Sequence, residues 1–124
     1  PGVELWLDGG HNPAAGEALA HHLGTLPDRP THLICGMLNT KDVTGYLRPL
    51  AQVAQSLTAV PIPGEANTLP AEETVAAAKA VGLPAKAAAT VAEALTSVVA
   101  TAPEARILIC GSLYLAGSVL RENG

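Results

Sequence analysis

Arg106-Ile107-Leu108-Ile109-Cys110-Gly111-Ser112 is the stretch that decides the fold. An unbroken apolar run, stopped by a glycine and followed by a helix-opening serine, is the pattern of a strand buried on both faces that hands over to a helix. The same text stands earlier in the chain as Leu33-Ile34-Cys35-Gly36, closing a strand over Thr31–Cys35. Working outward, Val3–Leu7 reads as a first strand stopped by Asp8-Gly9-Gly10, Leu57–Ile62 as a third, and Ala85–Ala89 as a thin fourth. Pro61 and Pro63 confine the third strand to a sheet edge or to an early end, because proline has no N–H to give a ladder.

Helical text fills the intervals. Pro13–Leu23 starts with Asn12 as N-cap and Pro13 at the first helical position. Val43–Leu50 follows the loop 36–42, and Pro70–Val81 carries Glu72 and Glu73 in its first turn with Gly82 just past its end. Thr90-Val91-Ala92-Glu93 has the form of a capping box and opens a helix to Ala100, which Pro103 keeps from continuing. Leu113–Arg121 is the expected last helix. Five βα units in succession predict an α/β domain: a three-layer, Rossmann-like arrangement with a mostly parallel sheet of five to six strands, helices on both faces, and right-handed crossovers.

Composition agrees with one packed domain over residues 1–124. Apolar residues make up 48% of the 124 and charged residues 15%, the opposite of a disordered chain. The formal net charge is −4 and no basic stripe is present, so nucleic acid is not an expected partner. No apolar run approaches the roughly 18 residues of a membrane span. A start at Pro1 with no basic, apolar leader reads as a piece cut from a longer protein without a signal peptide. Cys35 and Cys110 each close an apolar strand, where free cysteines behave as small hydrophobes, and their spacing is not that of a metal site. A reducing, cytoplasmic compartment is the matching expectation.

Ligands of open parallel sheets bind beyond the carboxyl ends of the strands. The loops there are Asp8–Asn12, Gly36–Asp42 and Gly111-Ser112, and they hold the most polar, glycine-rich text in the chain. Asp8 at a strand end can accept hydrogen bonds from ribose hydroxyls, and His11 can point into the same crevice; the same residues also make a sound strand–helix turn, with Asn12 as its cap. Lys41 can neutralise a carboxylate or phosphate, or be a solvated loop lysine beside the capping Asp42. Ser112 suits an anion at a helix start, or is only a cap. No phosphate loop of the G-x-x-x-x-G-K-S/T form, no G-x-G-x-x-G after the first strand and no G-x-S-x-G elbow is present. His21, His22 and His32 are expected on the surface or in packing.

Three of these loops resemble one known family. Asp8-Gly9-Gly10-His11-Asn12-Pro13 looks like the DGAHNP signature of folylpolyglutamate synthase and dihydrofolate synthase, in the Mur ligase superfamily. Gly36-Met37-Leu38-Asn39-Thr40-Lys41-Asp42 is similar to its GMxxDKD segment, except that Asn39-Thr40 stands where an acidic residue often precedes the lysine. Ile107 to Gly117 is similar to its closing (V/I)LxxGSLYLAG motif. The resemblance covers the whole chain and implies the family's C-terminal domain, without the N-terminal ATPase domain that carries the phosphate loop and magnesium ligands. It implies an ATP-dependent ligase that activates a carboxylate as an acyl-phosphate and joins L-glutamate to dihydropteroate or folate. Carried over residue by residue, Asp8 and Asn12 would belong to the nucleotide site, His11 to that site and to catalysis, and Lys41 and Ser112 to the glutamate side. ATP and Mg2+ would be the cofactors, the latter held mainly by the N-terminal domain, and no metal ligand falls in this chain. Two other classes share the pattern: a stand-alone nucleotide-binding module, and a non-catalytic interaction domain with a flavodoxin-like sheet.

Overall fold

The computed structural model describes residues 4–7, 12–26, 29–38, 42–62 and 68–111. In chain order the elements are β1 (Glu4–Leu7), α1 (Pro13–Gly24), β2 (Thr31–Cys35), α2 (Val43–Leu50), β3 (Ser56–Ala59), α3 (Ala71–Ala80), β4 (Ala85–Ala87), α4 (Val91–Thr101) and β5 (Arg106–Cys110). The expected helix at 113–121 lies outside the described residues.

The strands form one five-stranded parallel sheet in the order β1-β5-β2-β3-β4. From β1 to β4 the chain advances in one direction, and α1, α2 and α3 pack on one face of the sheet. The return from β4 to β5 runs the other way, and right-handed crossing then puts α4 on the opposite face, against Ile34, Ile107 and Ile109. Strand side chains alternate between two apolar layers. Leu33, Cys35, Leu108 and Cys110 face the three-helix side, where Tyr46, Leu47 and Leu50 of α2 meet them. Burial of each such leucine contributes about 1.5–3 kcal/mol. α1 and α2 touch closely because Gly16 faces the Tyr46 carbonyl, where a Cβ would collide with backbone.

Helix starts follow the caps. Asn12 Oδ1 accepts from the Ala15 amide at 2.8 Å, Asp42 Oδ1 from the Gly45 amide at 3.0 Å, and Thr90 Oγ1 from the Glu93 amide at 3.1 Å. Two expectations need correction. β3 is interior and, of the two outcomes that Pro61 and Pro63 allow, takes the early end, stopping at Ala59 rather than at Ile62; Val60 still donates to the Cys35 carbonyl at 2.9 Å, and then Pro61 has no donor. β1 is the sheet's edge strand, and Leu5 is 52% exposed. β4 pairs over three residues rather than five. Among the described residues no helix is long and apolar enough to cross a membrane.

Candidate functional site

The carboxyl ends of β1, β5 and β2 are neighbours. Leu7 pairs with Ile109, and Cys110 with Cys35, so the three loops of interest leave the sheet within two strand spacings, about 10 Å. The bases of the second and third loops are in contact. A Cβ built on Gly111 would lie 2.6 Å from Met37 Sδ and 2.8 Å from Cys35 Sγ and the Gly36 carbonyl, which seats the start of the third loop on the start of the second. Gly111 has φ of +101°, a conformation that L side chains resist, so the chain turns off β5 here on a residue with no side chain. The first and second loops meet at their far ends. A Cβ on Gly45 would come within 2.9 Å of Pro13 Cγ, so the capped N-terminus of α1 stands beside that of α2.

The second loop is held firmly where it leaves β2. Gly36 donates to the Cys110 carbonyl at 3.2 Å, and Leu69 donates to that of Met37 at 2.7 Å. Leu38 bridges antiparallel to Thr68, whose hydroxyl accepts from the Ile62 amide at 2.8 Å. Beneath, Cys35 and Cys110 are free and fully buried. The hydrogen bond to Cys110, burial and mutual repulsion all push the Cys35 thiol well above its ordinary pKa, so it stays protonated and packs as a hydrophobe.

Asp8, His11, Lys41 and Ser112 lie outside the described residues. Asn12 is described: its carboxamide oxygen caps α1, while that bond leaves the NH2 end unused. His21 and His22 are exposed on α1, as expected, with His22 edge-on to Trp6 at a centroid distance of 5.8 Å. Among the described residues no three His, Cys, Asp or Glu side chains gather as a metal site. A cleft that the sequence did not suggest, of about 540 Å³, opens beyond the carboxyl end of β4 between the starts of α3 and α4, with Glu72 and Glu93 on its walls. Its only sequence signal is that both helices begin with an acidic first turn.

Comparison with known proteins gives one consistent result. Residues 2–122 match the family described as dihydrofolate synthetase, C-terminal domain. The Escherichia coli FolC structure with DHPP and ADP superposes with a TM-score of 0.81 at 30% identity, over 94% of this chain and 27% of that one. Mycobacterium tuberculosis folylpolyglutamate synthase, complexed with ADP and AMPPCP, gives 0.87 at 28% identity, over 97% of this chain and 29% of that one. The bifunctional Yersinia pestis synthase, complexed with AMPPNP and Mn ion, gives 0.81 at 22% identity over 96% and 28%, a likeness of fold. The chain therefore spans less than a third of the length of these relatives. No curated protein sequence matches it.

Proposed function

We propose, since this chain belongs to the dihydrofolate synthetase C-terminal domain family, that it is the carboxy-terminal domain of an ATP-dependent ligase joining L-glutamate to dihydropteroate or folate. The observation that carries this reading is that three loops, each bearing one family-like motif, leave the carboxyl ends of adjacent strands, with the bases of the second and third in contact. The N-terminus of α1, capped by the neutral Asn12, is a favourable place for an anionic group because it carries about half a positive charge, whereas that of α2 is already met by the Asp42 carboxylate. In this reading Asp8 accepts hydrogen bonds from the ribose hydroxyls, and His11 and the free NH2 end of Asn12 line the same nucleotide edge. His11 is also the catalytic candidate, while Lys41 and Ser112 hold glutamate carboxylates. ATP supplies the phosphoryl group that activates the acceptor's carboxylate. The described residues do not fit a magnesium site, and the ion's ligands are assigned to the remainder of a longer ligase.

The test is steady-state kinetics of variants in the full-length ligase. Asp8→Ala should raise the KM for ATP by about 10–100-fold, the equivalent of one charge-assisted hydrogen bond, and leave that for glutamate nearly unchanged. Lys41→Ala and Ser112→Ala should show the reverse. An unchanged ATP KM in Asp8→Ala with a raised glutamate KM would overturn the assignment.

A further inference from the structure

At the opposite end of the strands, about 15 Å from the loop bases, a cavity of about 340 Å³ opens on the α4 face of the sheet, its wall mostly apolar with Leu57, Pro84 and Ala85 among four polar side chains. Its polar lining comes from four elements: His32 of β2, Ser56 of β3, Lys86 of β4 and Thr101 of α4. His32 and Ser56 are register partners, and His32 Nδ1 lies 2.6 Å from Ser56 Oγ. Lys86 Nζ donates to Ser97 Oγ of α4 at 2.5 Å, which fixes the ammonium at the rim. The Thr101 hydroxyl donates to the carbonyls of Ser97 and Val98. No carboxylate is among the described residues of the lining.

A cation, an imidazole and the Ser56 hydroxyl around one cavity, with no acid among its described lining, make a site for an oxyanion; the Thr101 proton is already committed to carbonyls. The carboxyl end of α4 opposes this with about half a negative charge, and the full charge of Lys86 outweighs it. We propose that this cavity binds the phosphate group of a small phosphomonoester, held by Lys86, His32 and Ser56. A phosphate is favoured over a carboxylate because its oxygens can take donors from three strands at once and its second charge can be matched by a protonated imidazole. The volume, within the range of small-molecule pockets, leaves room for a compact organic part.

Burial lowers the His32 pKa, so without a bound anion its ring is neutral at pH 7. The groups facing that ring are Lys86 from β4, the Ser56 hydroxyl from β3 and the Thr101 hydroxyl from α4, while β5 presents Ile107 beside it. A bound phosphate dianion would favour the charged ring and offset that desolvation. Binding is therefore coupled to proton uptake and strengthens as pH falls toward 6. The site stands independently of the ligase reading.

The experiment titrates the purified protein, with ring-labelled histidine, with inorganic phosphate and follows each histidine signal by NMR. The local signal separates this site from any nucleotide site that also takes phosphate. The expected result is a saturable shift of His32 and a rise in its pKa of about one unit, with His21 and His22 unmoved. In Lys86→Met, an exposed position where folding is not at risk, the affinity should fall at least about tenfold, and Lys86→Arg should restore most of it. Glutarate, tested in parallel, should bind more weakly. Equal shifts at His21, His22 and His32, or a His32 shift unaltered by Lys86→Met, would overturn the proposal, and glutarate binding as tightly as phosphate would replace phosphate by carboxylate and overturn the stated ligand class.

Discussion

Gly111 shows how one residue ties strand order to a site. Its positive φ and the 2.6–2.8 Å approaches to Met37, Cys35 and Gly36 are two separate demands for the absence of a side chain. Gly82 also has a positive φ, +87°, but nothing lies within 4 Å of a Cβ built there. Gly82→Ala should therefore cost only the dihedral, about 1 kcal/mol, and Gly111→Ala about 2–4 kcal/mol because backbone and sulfur must also move. Urea denaturation of both variants measures this, and equal losses would show that packing around Gly111 adds nothing. At this scale the sequence was informative about chemistry: Asp42, Asn12 and Thr90 are caps as their types predict. It was silent on His32 with Ser56, since neither residue belongs to a spaced motif and their pairing depends on register between strands.

At the scale of elements, caps and burial patterns were legible, and pairing was not. The apolar runs at Thr31–Cys35 and Arg106–Cys110 are strands over those same residues. The reading overran at β3 because Val60 and Ile62 are indeed buried, yet hydrophobicity reports burial and not ladder bonds, which Pro61 ends. β4 is short for a related reason: Ala-Lys-Ala offers neither β-branching nor bulk to hold an edge. Asn12 links element stability to the proposed site. Asn12→Ala should lose about 1 kcal/mol by loss of the cap, while Asn12→Asp should keep the wild-type stability because Asp caps equally well. If the carboxamide NH2 serves the nucleotide, Asn12→Asp should still raise the ATP KM of the full-length ligase; stability and KM that change together in Asn12→Ala but not at all in Asn12→Asp would make Asn12 a cap alone.

For the whole molecule, the prediction is that the 124-residue chain folds by itself and catalyses nothing. Two apolar layers on one sheet can bury about two-thirds of the unfolded surface at this size. Acyl-phosphate formation needs preorganised charge around the transferring phosphoryl group, and the described residues gather no metal ligands. Cooperative urea unfolding, with ADP release at background when ATP, magnesium, glutamate and dihydropteroate are supplied, is the expected outcome; turnover above background would mean that the chain is a complete enzyme. The α/β class, the alternation of strands and helices, the caps and the three loops were determined by the sequence itself, because each depends on residues within a few positions of one another. The order β1-β5-β2-β3-β4 was decided only in three dimensions. Insertion of β5 between β1 and β2 sets Cys110 beside Cys35 and brings together loops that lie about 75 positions apart in the chain, and likewise His32, Ser56 and Lys86 meet only through the register of three strands. Local pattern fixes what a segment becomes, whereas its neighbours depend on pairings whose free energy no single segment carries.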